Sequence, residues 1–268
     1  MGGMSVAVLE SLSHTDSTGS RSFSLDRYGA ILFDPELRVS VLQTVLLSTL
    51  ATALSTCLGI LTAVSLRRFA RGSRVMSTLM QIPIAIPHLA MAVLVLDVLG
   101  QSGLIARVLF HFGVIGQPAH FPELLHDRYS FGIILTYVLK ETPFIALVVL
   151  AMLQRSVAEY EALAATLGAT AWQRFRHVTL PLIAPPVISA SLIVFAFIFG
   201  SFEVPFLLGR PYPAMLGVLV QRRYMSAELS DRPDAVAAGV LMSIVSALLV
   251  FAYLRLSVRL VGERPALF

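Results

Sequence analysis

The sequence predicts an all-α integral membrane protein with about five transmembrane helices. Of its 268 residues 56% are hydrophobic and 13% are charged, and the mean hydropathy is +0.80. A water-soluble core cannot bury that much apolar surface. A helix needs about 20 apolar residues to cross about 30 Å of hydrocarbon. The stretches of that length are residues 41–66, 77–99, 130–153, 182–202 and 235–254.

The spans are predicted to be helices because runs such as VLQTVLLSTLATALSTCLGILTAV are apolar on every face. Barrel strands would be about 10 residues long and would alternate between apolar and polar side chains. Cys57, the only cysteine of the chain, lies inside the first span. An intrachain disulfide and a cysteine-based metal framework are therefore excluded.

The N-terminal segment, residues 1–40, is predicted to be extracytoplasmic. It begins MGGMSVAVLESLSHTDSTGS, which lacks both a basic leader and an apolar run of signal-peptide length, so nothing there looks cleavable. The following RSFSLDRYGAILFDPELRVS mixes aromatic and charged residues and is expected to lie at the outer interface. The alternative interpretation is a poorly ordered tail.

Arginine placement predicts the orientation. Arg67, Arg68, Arg71 and Arg74 follow the first span without an acidic neighbour, which is typical of a cytoplasmic loop. The N-terminus is then outside, and the 154–181 connection and the tail at 261–268 are cytoplasmic. The stretches predicted inside hold ten arginines in 49 residues, against nine in 99 outside. The basic residues lack interleaved aromatics, so a nucleic-acid partner is not expected.

Polar residues and prolines interrupt the spans. Pro83 and Pro87 remove two backbone donors from the second span, so a kink is expected beside His88, which we interpret as a packing residue. Ionisable groups in spans are costly and usually face a cavity. The candidate pathway residues are therefore Asp97, Lys140, Glu141 and Glu203. Alternatively, Lys140 pairs with a neighbouring carboxylate and holds spans together.

The cytoplasmic connection at 154–181 is predicted to contain two short helices. Residues 159–167 form the first, and Gly168 is placed to end it in a left-handed conformation. Thr170 begins the second, and Gln173 completes a capping box. Pro181, Pro185 and Pro186 are expected in the first turn of a separate fourth span. Composition alone leaves open whether these helices bind anionic headgroups or a protein.

The spacing of this connection resembles the coupling-loop motif of MetI-like ABC importer permeases: Glu-Ala-Ala, three residues, Gly, nine residues, Ile, one residue, Leu-Pro. Gly168, Val178 and the Leu180-Pro181 pair match it, and Ala164 matches the second alanine. At the front the match departs, because Ala162 and Leu163 occupy the glutamate and first alanine positions. Glu161 comes one residue early.

The resemblance implies a permease core at 41–260, most similar to the spermidine/putrescine-type branch, in the bacterial inner membrane. It also implies an ABC ATPase dimer that binds ATP and Mg²⁺, a second permease subunit in a heterodimer, and an extracytoplasmic solute-binding protein. Such permeases commonly have a further span upstream. The residues expected to couple to the ATPase are Glu161, Ala164, Ala165, Gly168, Leu180 and Pro181.

No catalytic or nucleotide-binding motif is present. A P-loop needs a Gly-Lys pair, and the sole lysine, Lys140, follows Leu139. Metal-binding and nucleophile motifs are also missing, so neither an enzyme nor a cofactor of this chain is expected. An intramembrane enzyme, a passive channel and a secondary transporter are the alternatives.

Three acids against one lysine favour a small cationic cargo, with iron, sugar or an anion as alternatives.

Overall fold

The computed structural model describes residues 2–15, 21–23, 26–70, 74–154, 156–226 and 231–261. Its regular secondary structure is helical except for a short antiparallel pair in the N-terminal segment, so the all-α fold class is confirmed. Within it, five helical stretches are long and apolar enough to cross a membrane. They are Pro35–Arg67, His88–His111, Phe131–Gln154, Ala171–Gly200 and Pro233–Arg255.

The elements follow one another along the chain with short connections. The first half contains α1 (Gly2–Leu12), β1 (Ser13–Thr15), β2 (Arg21–Phe23), α2 (Asp26–Phe33), α3 (Pro35–Ala70), α4 (Arg74–Ala85), α5 (His88–Leu99), α6 (Leu104–His111) and a 3₁₀ turn (Pro118–His120). The second half contains α7 (Phe131–Gln154), α8 (Ser156–Thr166), α9 (Ala171–Arg174), a π turn (Phe175–Thr179), α10 (Leu180–Gly200), α11 (Glu203–Leu208), α12 (Leu216–Tyr224) and α13 (Asp231–Val261).

These elements form two compact units. The first consists of residues 1–48, 95–133 and 199–249, and the second of residues 49–94, 134–198 and 250–268. Long helices pass from one unit to the other, so neither unit is a continuous piece of sequence. The second unit contains the 154–181 connection and the break in the second span.

Helix α3 has its polarity reversed relative to a helix of a soluble protein. Small polar side chains recur every four residues on its buried face: Ser40, Thr44, Ser48 and Thr52. Leucines recur at the same interval on its exposed face: Leu42, Leu46, Leu50, Leu54 and Leu58. Leucine faces outward because the surrounding solvent is lipid. The expectation that this run is apolar on every face is therefore wrong.

Small residues also allow helices to approach closely within the second unit. A Cβ added to Gly59 of α3 would lie 2.8 Å from the Ile145 Cβ of α7 and 3.2 Å from the backbone nitrogen of Ala146. Glycine is therefore required where these two helices meet. Close packing of this kind stabilises helix pairs in lipid, where burial of apolar surface supplies little driving force.

In the first unit, a cluster of charged side chains holds the start of α3. Asp34 caps the helix, accepting a hydrogen bond from the Glu36 backbone nitrogen at 2.8 Å, and it pairs with Arg223 of α12. Burial alone would raise the Asp34 pKa, but the hydrogen bond from Arg223 and the others lower it below its ordinary value. The helix thus begins at Pro35, before residue 41, where the first span was predicted to begin.

The predicted kink in the second span is confirmed, and it is a complete break. Helix α4 ends at Ala85 and α5 begins at His88, because Pro87 has no backbone N–H to donate to the Pro83 carbonyl. The span-length stretch starts after this break and continues into α6, so it covers His88–His111. The predicted boundaries of 77–99 are corrected accordingly.

The fourth span is continuous with the second short helix of the connection, which corrects the prediction of a separate span starting near Pro181. Helix α9, the π turn and α10 follow one another without interruption from Ala171 to Gly200. A proline ring inside an α-helix collides with the carbonyl four residues earlier, which for Pro181 is that of His177. His177 lies in the wider π turn, which relieves this collision.

Candidate functional site

The surface connection has the local geometry that the sequence predicts around Gly168. Helix α8 ends at Thr166, and Gly168 has a φ of +83°. Its N–H donates to the Ala165 carbonyl at 3.0 Å, and the Ala169 N–H donates to the Ala164 carbonyl at 3.0 Å, which is a Schellman motif. A Cβ at Gly168 would meet nothing within 4 Å. A side chain is therefore disfavoured there by backbone strain alone.

Helix α9 begins with the predicted capping box. The Gln173 backbone N–H donates to Thr170 Oγ1 at 3.3 Å, and the Thr170 N–H donates to Gln173 Oε1 at 2.8 Å. Two backbone donors at the start of the helix are thereby satisfied. The turn between α8 and α9 is consequently fixed at both ends, by Gly168 and by Thr170.

The connection exposes large apolar side chains beside small ones. Tyr160, Leu163, Leu167 and Trp172 are exposed, Leu167 with 82% of its surface accessible. Of the predicted coupling residues, Ala165 and Leu180 are also exposed, whereas Ala164 and Pro181 are half-buried. Exposed apolar and aromatic side chains of this kind mark an interaction surface.

Glu161 faces inward and has three hydrogen bonds within the second unit. Arg67 Nη1 lies 2.8 Å from both Glu161 carboxylate oxygens, and the Thr179 hydroxyl donates to Oε1. Burial alone would raise the Glu161 pKa, but the hydrogen bonds from Thr179 and Arg67 and the nearby positive charges lower it below its ordinary value. The ion pair of Glu161 with Arg67 is thus fully formed at neutral pH. It is lost only in acid, as the pH falls through the lowered pKa of Glu161.

Lys140 of α7 satisfies the carbonyls that the helix break leaves without donors. Its Nζ donates to the carbonyls of Pro83 at 3.0 Å and Ile84 at 3.1 Å, and also to that of Ile86. Lys140 is buried. A cation at a helix C-terminus also complements the helix dipole. Lys140 therefore binds the end of α4. Its hydrogen bonds go to backbone carbonyls, whereas the alternative predicted a carboxylate as its main partner.

Glu141, the next residue, contacts the other side of the same break. Its Oε1 lies 2.9 Å from Nε2 of His88, the first residue of α5. The His88 ring packs on Phe197, with ring centroids 4.3 Å apart, so the histidine has both a polar and an aromatic neighbour. Adjacent residues of α7 thus place a positive group at the end of α4 and a negative group at the start of α5.

The other two predicted pathway residues lie in the first unit. Asp97 is exposed and lines a cavity of about 680 Å³ together with Arg107, Glu123 and His126. Glu203 is exposed and occupies the first turn of α11. Neither carboxylate has an ion pair within the described part of the chain. Among the described residues, no group of three histidine, cysteine or acidic side chains could hold a metal ion.

Sequence reasoning missed Arg67 and Thr179 as partners of Glu161. Arg67 enters the sequence argument only as a topology signal, and Thr179, the residue between Val178 and Leu180, carries no prediction. The available signal was the early position of Glu161, because a shift of one residue rotates a side chain by about 100° around a helix. That rotation turns the carboxylate away from the surface and towards the protein.

The membrane-spanning helices and the motif-bearing surface loop define a permease. The family model of the binding-protein-dependent transport system inner membrane component matches residues 55–263. The chain belongs to this family, the multi-pass inner-membrane permeases of ABC importers. The resemblance drawn from the motif is thereby confirmed.

Individual relatives agree with this assignment. The inner membrane ABC transporter permease protein YnjC of Escherichia coli K12 is 27% identical over 89% of this chain and 44% of its own length. The molybdenum transport system permease protein ModB of Mycobacterium tuberculosis H37Rv is 29% identical over 84% of this chain and 81% of its own length. The spermidine/putrescine transport system permease protein PotB of Haemophilus influenzae is 29% identical over 59% of this chain and 52% of its own length.

This chain therefore spans about half the length of two of these relatives. All three are permease proteins by name, which confirms that this chain is not the ATPase. A solved bacterial ABC transporter that imports the acidic polysaccharide alginate has the same fold. Its TM-score is 0.76 at 22% identity, over 95% of this chain and 89% of that one.

Replacing Lys140 by methionine should destabilise the break between α4 and α5. The carbonyls of Pro83 and Ile84 lose their donor, and an unsatisfied buried group costs about 1–3 kcal/mol. We expect the unfolding temperature of the purified protein in detergent to fall by about 5 °C or more. Leu139→Met is the matched control, because Leu139 is exposed.

A second substitution tests whether the stability lost in Lys140→Met comes from the unpaired carbonyls at the break or from general packing at this site. Pro87→Ala supplies an N–H to the Pro83 carbonyl, so it should restore part of the stability in the Lys140→Met background. Equal unfolding temperatures of Lys140→Met and Leu139→Met would contradict this role of Lys140.

Proposed function

We propose that this chain forms half of the translocation pathway of an ABC importer and receives the force of ATP hydrolysis through its 154–181 connection. The observation that carries the proposal is the surface of α8 and α9. Exposed Leu163, Leu167 and Trp172 flank a glycine with positive φ, in the loop that matches the family motif. A separate ATPase subunit binds ATP and Mg²⁺, and its groove receives these helices.

The continuous helix from Ala171 to Gly200 supports a direct route for the movement. Docked helices carried by a closing ATPase dimer move as rigid bodies. Because α9 continues into α10 without a loop, displacement of the docked end tilts the fourth span. Alternation between outward-open and inward-open states follows from that tilt, with no chemistry in this chain.

An extracytoplasmic solute-binding protein and a second, different permease complete the proposed transporter. The family description names dependence on a binding protein, which supports the first partner. A heterodimer with a related but distinct permease is what the resemblance to the spermidine/putrescine-type branch implies. Affinity purification of the tagged chain followed by mass spectrometry tests the proposed assembly. Recovery without any ATPase would contradict the proposed function.

Gly168→Val should uncouple ATP hydrolysis from transport while leaving the spans folded. A β-branched residue at a φ of +83° costs about 1–2 kcal/mol of backbone strain, which reshapes the turn between α8 and α9. We expect transport per ATP hydrolysed by the complete transporter in vesicles to fall about tenfold, in line with a coupling energy of that size.

Gly113→Val is a matched control for that variant. Gly113 also has a positive φ, +70°, and open space around a Cβ, but it lies outside the 154–181 connection. This variant carries similar strain and should transport normally. Full transport by Gly168→Val, or equal losses in both variants, would contradict the coupling role of Gly168.

The proposed orientation places the N-terminus outside and the C-terminus in the cytoplasm. It rests on the arginines that follow the first span. A phosphatase, which folds only outside, should be active when fused to residue 1, and a fluorescent protein that matures in the cytoplasm should be bright when fused to residue 268. The reverse pattern, with all spans intact, would contradict the orientation.

For the cargo we favour a small cation such as a polyamine. Asp97 and Glu203 are exposed carboxylates without an ion pair among the described residues, whereas Lys140 is committed to the carbonyls of α4. Carboxylates lining a path attract cations. Relatives differ in what their names say they carry, since ModB is named for molybdenum and PotB for spermidine and putrescine.

Glu203→Gln should slow amine uptake by vesicles that contain the complete transporter. Removing one charge at this position weakens the local attraction by about 1 kcal/mol, which is about fivefold in rate. Glu10→Gln, on α1, removes the same charge elsewhere and should leave uptake unchanged. Unchanged uptake by Glu203→Gln, or a binding protein that prefers molybdate to spermidine, would contradict a cationic cargo.

A further inference from the structure

Glu161 differs from the motif of its family by one residue, and this difference changes the direction of its side chain. The motif places glutamate six residues before the glycine, which here is Ala162. Successive residues of a helix point about 100° apart. Ala162 is exposed, whereas the Glu161 side chain is only 17% exposed. A carboxylate at the motif position would face a partner, and the one present here faces the protein.

The inward-facing carboxylate connects three separate segments of the second unit. It lies on α8, it binds Arg67 near the C-terminal end of α3, and it accepts a hydrogen bond from Thr179 at the end of the π turn. Arg67 Nη1 contacts both carboxylate oxygens at 2.8 Å, and the Thr179 hydroxyl adds a second donor from another segment. Together these contacts hold α8 against the cytoplasmic end of the first span and the start of α10.

We propose that Arg67, Glu161 and Thr179 form an internal latch that transmits the movement of the docked α8 to the first span and to α10. This inference rests on the proposed function of the connection. In this chain the carboxylate acts inside the permease and not on the ATPase. Arg67 and Thr179 are positioning residues for the coupling movement, because they act through α8 and not on the cargo or the nucleotide.

The geometry explains why an ion pair is suited to this place. The pair is partly exposed, with 32% of the Arg67 and 17% of the Glu161 side chain accessible, so it can break and reform without leaving a charge stranded in hydrocarbon. Its contacts from Arg67 and Thr179 tie α8 to two other segments at one carboxylate. Hydrogen-bond and ion-pair networks of this kind can carry coupling between elements.

The test uses the complete reconstituted transporter and three readouts: recovery of the ATPase, ATP hydrolysis, and transport. Arg67→Glu and Glu161→Arg should each lower transport per ATP by about fivefold or more while ATPase recovery stays at the wild-type level. The double variant Arg67→Glu/Glu161→Arg should restore transport to within about twofold. Thr179→Val removes a single donor and should give a smaller loss than either reversal.

Moving the carboxylate by one residue distinguishes an internal role of Glu161 from a direct contact between Glu161 and the ATPase. The double variant Glu161→Ala/Ala162→Glu recreates glutamate at the motif position, and it should remain as uncoupled as Glu161→Ala. Restored transport in this variant would overturn the proposal. So would reduced recovery of the ATPase by Glu161→Ala, or failure of the charge exchange to restore transport.

Glu161→Gln keeps the shape of the side chain, and it provides the uncoupling readout if a charge reversal fails to fold. Normal transport per ATP by Glu161→Gln would also overturn the latch. A different result would contradict the proposed function, namely purification of the wild-type chain without any ATPase. If the wild-type transporter recovers its ATPase and transports, but the latch variants do not behave as expected, only the latch is contradicted and the proposed importer function stands.

Discussion

The structure depends on one constraint: in hydrocarbon, every backbone carbonyl needs a donor from within the protein. The break at Ile86–Pro87 leaves carbonyls at the end of α4 without helical partners, and Lys140 donates to those of Pro83, Ile84 and Ile86. Glu141 then contacts His88 at the start of α5. A single turn of α7 therefore stabilises the break that precedes the second span, and the charges of that turn match the dipoles of the two helix ends.

Local rules predicted the features that depend on nearby residues. The left-handed Gly168 and the capping box of Thr170 and Gln173 were found where the sequence placed them, since each involves a few adjacent residues. The break at Pro87 follows from proline chemistry in the same way. The fold class followed from composition, because the lengths and apolarity of the spans are properties of the chain itself.

The remaining features depend on tertiary contacts, which a single sequence does not contain. Hydropathy treats the serines and threonines of α3 as weak interruptions, although their spacing of four residues puts them on one buried face. The π turn before Pro181 was missed because helix rules assume that a proline starts a new helix, whereas a wider turn accommodates it. Lys140 and Glu141 were identified as unusual, but their partners lie more than 50 residues away in sequence.

The continuity of α9 and α10 determines where the connection can bend. A rod from Ala171 to Gly200 transmits displacement along its axis, and its π turn is the point at which its helical hydrogen bonding changes. Thr179 is the last residue of that turn, and its hydroxyl donates a hydrogen bond to Glu161. The carboxylate of α8 therefore contacts the long helix at the point where its α-helical hydrogen bonding changes. The same carboxylate holds Arg67 of α3. One side chain therefore joins both spans, and in the proposed latch movement of α8 displaces them together.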